Sequence, residues 1–220
     1  MIELYYGPGA CSFIPHAALE IVRAQTGKEF VGHVIKLHKG EQRNPEYLAL
    51  NPNGQVPTLV IDGKPLTQIV AICDWIDREN PQAGLLPTES RARADAMSRF
   101  VWLNNTVHPT FTHVFMPERF TDDEAAQAAI RTFAIAQYRG YLERIQAWTA
   151  EAGTGFFLGE RVSILDIYAL TLLRWGTIAA IDPADTPELW AHVQRTAQVP
   201  AVARTMEREK LQLNLYQPAS

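Results

Sequence analysis

The periodicity of the chain changes once, near residue 80, and that change limits the fold more than any other feature. Before it, short β-prone runs alternate with helical spacing. Residues 2–6 form the first run, which stops at Gly7-Pro8-Gly9, a strong turn signal. Residues 12–25 have helical spacing, and Gly27 ends them. Residues 30–37 read as a second strand. Residues 46–50 make one or two helical turns, stopped by Asn51-Pro52-Asn53-Gly54. Residues 58–61 and 65–67 flank Asp62-Gly63, a hairpin signal. Residues 69–78 are again helical. The order β-α-β-α-β-β-α implies a mixed sheet, with a parallel part from the strand-helix-strand unit and an antiparallel edge from the hairpin.

Residues 81–90 carry two prolines and a glycine, which mark a linker. Beyond it only helical patterns appear: 91–106, then a kink or break marked by Pro109 and Pro117, then 122–149, 163–180, 188–198 and 201–210. The expected organisation is a first domain over 1–80, a linker over 81–90 and an all-α helical bundle over 91–220. The most apolar helix, over 164–181, contains Asp166 and Arg174, so it reads as a buried core helix rather than a membrane span.

Charge narrows the partners. Lys and Arg number 20 against 24 Asp and Glu, for a net charge of −4, and no basic run appears. Nucleic acid is therefore not the expected partner, because phosphate binding needs clustered cations. Two cysteines, Cys11 and Cys73, make no disulfide scaffold. The first five residues lack the basic and apolar segments of a signal peptide. A cytoplasmic location is expected, with no membrane association.

Four features bear on chemistry. Cys11 follows the Gly-Pro-Gly turn at the start of a helix, where free amides and the helix dipole should lower a thiol pKa. A buried structural cysteine is the other reading. The dithiol position is Ile14, so an internal disulfide is excluded. In Gln55-Val56-Pro57, a cis bond would turn the Val56 amide and carbonyl outward to pair with an extended peptide; a trans proline at an edge strand is the alternative. Thr67-Gln68-Ile69 ends a strand and opens a helix, a natural carboxylate site or a simple cap. Ser163 and Asp166 have capping-box spacing and are read as structural. His108 is a lone histidine, five residues from His113, which argues against a metal pair. No zinc spacing or phosphate loop is present, so no metal is expected.

Taken together, Leu4-Tyr5-Tyr6-Gly7-Pro8-Gly9-Ala10-Cys11-Ser12 with Pro15-His16, the run Asn51-Pro52-Asn53-Gly54-Gln55-Val56-Pro57-Thr58-Leu59, Leu66-Thr67-Gln68, and Gly159 with Ser163 to Asp166 resemble bacterial glutathione transferases, nearest the beta class. The resemblance spans essentially the whole chain. It implies an α/β thioredoxin-like N-terminal domain, an all-α C-terminal domain, and glutathione as co-substrate. It implies Cys11 facing the glutathione sulfur, with Tyr6, Ser12 and His108 nearby as catalytic groups. The glutathione-binding residues it implies are Cys11, Lys36, Gln55, a cis Val56–Pro57, Gln68, Ile69 and Asn105, the last reaching a partner subunit in a homodimer. One position departs from the pattern: Ile69 stands where the family usually has Ser, or sometimes Gly. The missing hydroxyl should cost roughly 1.5–3 kcal/mol of glutathione binding.

Three functions fit. The first conjugates the glutathione thiol to a small apolar electrophile in a detoxification role, with Phe111, Phe115, Met116 and Trp175 as candidate walls. The second uses Cys11 as a nucleophile in glutathione-dependent disulfide or dehalogenation chemistry. The third is a non-catalytic binding protein on the same fold. The electrophile is not legible, because this fold hosts many.

Overall fold

Four strands form one sheet in the order β2-β1-β3-β4. They are β1 (Ile2–Tyr6), β2 (Val31–Val34), β3 (Thr58–Ile61) and β4 (Lys64–Thr67). The computed structural model describes residues 1–153 and 155–217. β1 runs parallel to β2, with Leu4 opposite Gly32, and antiparallel to β3, with Leu4 opposite Leu59. β3 and β4 are antiparallel and are joined at Asp62 (φ 48°) and Gly63 (φ 79°), the left-handed pair that a tight hairpin needs. Asp62 also holds the N-terminal ammonium in an ion pair. The expected mixed sheet and the order of elements are thus present.

Helices α1 (Phe13–Thr26), α2 (Pro45–Leu50) and α3 (Ile69–Glu79) connect or follow the strands. Gly27 closes α1 at φ 73°, a left-handed cap that donates its amide to Arg23. The second strand ends three residues earlier than its apolar run, which continues to Leu37. The Ile35 amide still donates to Tyr6 at 2.7 Å, but β1 stops there and the chain coils into 3₁₀ turns from Leu37 to Arg43. Without a partner strand the ladder cannot extend.

The remaining helices are α4 (Ser90–Trp102), α5 (His108–Phe115), α6 (Glu124–Ala152), α7 (Ile164–Ile178), α8 (Pro187–Ala197) and α9 (Pro200–Glu209). Between α4 and α5 lies a π-helical turn, Leu103–Val107. Pro109 explains it: proline offers no amide to the helix ladder. The backbone widens one residue earlier, with the His108 amide reaching Leu103 O, and the helix continues instead of breaking. Asp123 caps α6 by accepting the Ala126 amide at 2.8 Å. Ser163 and Asp166 form the expected capping box on α7.

The chain folds into two compact units: Met1–Thr88 with Gln198–Leu211, and Glu89–Ala197 with the segment from Gln212 onward. This differs from the expected 91–220 division, because α9 packs with the first unit. Its anchor is charge: Glu20 of α1 is fully buried and meets Arg208 of α9 at 2.8 Å and Arg23 at 3.0 Å. Residues 154 and 218–220 of the expected helical domain lie outside the described residues. In the second unit α7 is buried on nearly every side, packing Leu165, Tyr168 and Leu172 in a core with Phe100, Tyr138 and Leu142. Among the described residues no helix is long and apolar enough to cross a membrane.

Candidate functional site

Two loops of the first unit meet at Cys11. One is the turn from Gly7 to Ser12. Ser12 sets it: its Oγ accepts the Gly7 amide at 3.0 Å and donates to Gly7 O at 3.1 Å. The turn is closed further by Ala10 N to Gly7 O at 3.0 Å, and it is held from outside by Glu209 of α9, whose Oε2 accepts the Gly9 amide at 2.9 Å. The same carboxylate meets His16 Nδ1 at 2.7 Å. Glu209 lies 200 residues from Gly9, so no local pattern could have announced it.

The other loop runs from Asn51 to Thr58. Asn51 organises it by donating to Gln55 O at 2.7 Å and to Thr58 Oγ1 at 3.2 Å, while its own Oδ1 accepts the Asn53 amide at 3.1 Å. Tyr47 of α2 donates to Gln55 O at 2.6 Å. Gly54 is required here: its φ is +59°, and a Cβ would lie 3.0 Å from Gln42 O. The Val56–Pro57 bond is cis, as expected. The Cys11 thiol donates to Val56 O at 3.5 Å. The Val56 amide has no partner among the described residues.

The expected low pKa of Cys11 is corrected by this geometry. Burial pushes the thiol up to about 12, against the opposing pull of the Cys11 and Ser12 amides, and Glu209 adds to the rise. The helix itself begins at Phe13, beyond Cys11, so the dipole acts from a distance that desolvation overrides. Cys11 is therefore a neutral hydrogen-bond donor. Two further expectations also change. Ser12 is completely buried and committed to Gly7 through both functions of its hydroxyl, so it shapes the turn rather than facing a ligand. Tyr6 points to the α1 side, where its ring lies 4.3 Å from His16. Successive strand residues face opposite ways. It is Tyr5 that joins the cluster of Ala10, Leu37, Tyr47 and Val56, a placement that strand alternation alone could have given.

Lys36, Gln68 and Ile69 are the other residues of the first unit expected to bind glutathione. Lys36 is exposed, with its ammonium 4.0 Å from Glu41 and its amide donated to Glu41 at 2.8 Å. Gln68 is exposed at φ 73°, a left-handed conformation unusual for a residue with a side chain, and it caps α3. Ile69 is only 5% exposed, so its side chain belongs to the core. The first-turn amides of α3 begin at Ile69 and, as at any helix start, have no intrahelical acceptor.

His108 and Asn105 belong to the second unit. Burial pulls the His108 pKa down to about 4, so the ring is neutral near pH 7. Its Nδ1 lies 2.9 Å from Tyr168 Oη, and its ring meets Trp175 edge-on at 4.9 Å. Phe111 stacks on Trp175 at 4.8 Å and on Phe115 at 5.8 Å, giving an aromatic wall that ends at exposed Phe115. Asn105 is exposed and accepts from Asn104 at 2.9 Å. Among the described residues no three metal-ligating groups converge.

A mixed four-stranded sheet with a cis-proline loop facing a cysteine turn in one unit, and helices alone in the other, define a two-unit protein whose first unit is thioredoxin-like. Comparison narrows this class. Residues 19–79 match the glutathione S-transferase N-terminal domain, and residues 104–209 match the glutathione S-transferase C-terminal domain. The glutathione S-transferase GstA of Escherichia coli O157:H7 is 31% identical over 96% of this chain and 100% of its own length. The solved glutathione S-transferase of Xylella fastidiosa is 28% identical, with a TM-score of 0.86 over 96% of this chain and 100% of that one. A sphingomonad glutathione S-transferase solved with glutathione is 32% identical, with a TM-score of 0.80 over the same shares. The chain belongs to the glutathione S-transferase family, enzymes whose co-substrate is glutathione.

Proposed function

We propose that this chain is a beta-class-like transferase that conjugates glutathione to a small apolar electrophile. The observation carrying this reading is the unpartnered Val56 amide beside Val56 O and the Cys11 thiol. An extended peptide can take both Val56 groups as an added strand does. The cysteinyl part of glutathione is such a peptide, and its sulfur would then lie near Cys11. The γ-glutamyl carboxylate falls to Gln68 and the α3 amides, and the glycyl carboxylate to Lys36.

A neutral Cys11 favours the first of the three functions. A thiol donor stabilises a neighbouring thiolate, whereas a covalent nucleophile must itself be ionised. The bound glutathione thiol loses its proton to solvent, its sulfur forms a carbon–sulfur bond, and the electrophile either releases its leaving group or takes the electron pair into a conjugated system that solvent then protonates. Phe111, Phe115, Met116 and Trp175 supply the apolar side. The family resemblance supports a homodimer in which Asn105 reaches the partner's site, a cytoplasmic location and a role in detoxification.

The direct test is amide NMR with added glutathione. The Val56 amide is expected among the most shifted signals, together with Cys11 and the first turn of α3. Unchanged Val56 and α3 signals at saturating glutathione would contradict the proposal.

A further inference from the structure

A short chain of hydrogen bonds in the second unit has a direction that can be read from one end. Asn104 lies in the π-helical turn and donates its Nδ2 to Asn105 Oδ1 at 2.9 Å. Its Oδ1 is the acceptor left over, and the Tyr168 hydroxyl donates to it at 3.2 Å. A phenol has one proton. With that proton directed to Asn104, the 2.9 Å contact between Tyr168 Oη and His108 Nδ1 needs the imidazole as donor. A neutral imidazole carries one N–H, so Nε2 is left as a bare lone pair. Nε2 has no hydrogen bond among the described residues. The phenol is fixed in place: Tyr168 is fully buried, and its ring packs edge-on against Phe100 at 5.9 Å.

We infer that Tyr168 and Asn104 are positioning residues that hold His108 as its Nδ1–H tautomer and present Nε2 as an acceptor for a proton-bearing ligand. The π-helical turn is part of this device, since it sets Asn104 and His108 on the side of α7 that carries Tyr168. Burial supports a neutral ring, because it pulls the His108 pKa down to about 4. In the transferase reading, on which this step rests, the ligand is glutathione or its electrophile, and Nε2 accepts a hydrogen bond or a proton from it. The tautomer itself does not depend on that reading.

Nitrogen NMR of histidine-labelled protein without ligand tests the assignment, with the His108 signals identified by their loss in His108→Gln. The expected pattern has Nδ1 protonated and Nε2 bare. Asn104→Leu removes the acceptor and frees the phenol proton to turn toward His108, so the pattern should invert to Nε2–H. Tyr168→Phe should also release the Nδ1–H form. Asn104→Asp keeps an acceptor and should keep the original pattern. The Asn104 pair leaves the test intact should Tyr168→Phe fail to fold. A wild-type Nε2–H form, or an Nδ1–H form that survives Asn104→Leu, overturns the inference. Turnover separates the two layers: Asn104→Leu is expected to lower kcat roughly ten- to a hundredfold at unchanged KM for glutathione. An inverted tautomer with unchanged kcat upholds the assignment and overturns the acceptor role of His108.

Discussion

At Cys11 two effects oppose each other. The amides of Cys11 and Ser12 favour a thiolate, while removal from water and the Glu209 carboxylate favour the thiol, and the second pair wins. Alkylation should therefore be slow at pH 7 and rise with pH without a plateau below about pH 10. A plateau near pH 7 in the rate of iodoacetamide labelling, followed by mass spectrometry, would contradict this. His108 gives a second prediction. Its folded pKa is depressed to about 4 from an ordinary value near 6.5. The unfolded state thus takes up the proton first, and stability falls as pH drops from about 6.5 to 4. Urea unfolding of His108→Gln across that range should show a shallower acid loss than wild type, and identical slopes would count against it. Ile69 is the third case. Its side chain packs in the core, so a Ser there both loses apolar burial and gains a donor beside the helix amides. Ile69→Ser should tighten glutathione binding about tenfold by calorimetry while lowering stability by about 2–4 kcal/mol.

Among the elements, α7 carries the clearest energetic claim. Asp166 is fully buried and accepts the Ser163 amide at 2.7 Å, the Phe157 amide at 2.9 Å and His192 Nε2 at 2.7 Å. Asp166→Ala would strand all three donors and should cost about 3–5 kcal/mol in chemical denaturation. Ser163→Ala, which leaves Asp166 in place, should cost about 1 kcal/mol. Equal, small losses would show that the box contributes little. The capping box, the Asp62-Gly63 hairpin and the Gly27 cap were legible in sequence because each is a local rule, written within a few residues. The end of β2 and the π-helical turn were not. The first depends on where β1 stops, and the second on how a helix absorbs Pro109 rather than yielding to it. Tyr5 and Tyr6 lie between these cases: strand alternation sends them to opposite faces, and the sheet's packing decides that Tyr5 takes the face of the Val56 cluster and Tyr6 that of His16.

In the whole molecule, sequence distance hides what matters most. The Cys11 turn is braced by Glu209, and Glu20 of α1 by Arg208, both from α9 at the far end of the chain. The motifs around Cys11, Val56 and Gln68 were readable, but the helix that steadies the first of them has no motif. Glu209→Ala would remove the carboxylate that the Gly9 amide and His16 both meet, at roughly 1–3 kcal/mol for each hydrogen bond lost. Hydrogen exchange should then rise across the turn and the start of α1. In the proposed function this glutathione transferase works with Cys11 as a neutral donor and not as a covalent nucleophile. Its most direct test is the rate of glutathione conjugation to an activated aryl halide by Cys11→Ala. Conjugation is expected to be retained within about tenfold of wild type, the cost of one hydrogen bond to the sulfur. Loss of conjugation to the uncatalysed rate, in a folded variant that still binds glutathione, would contradict it.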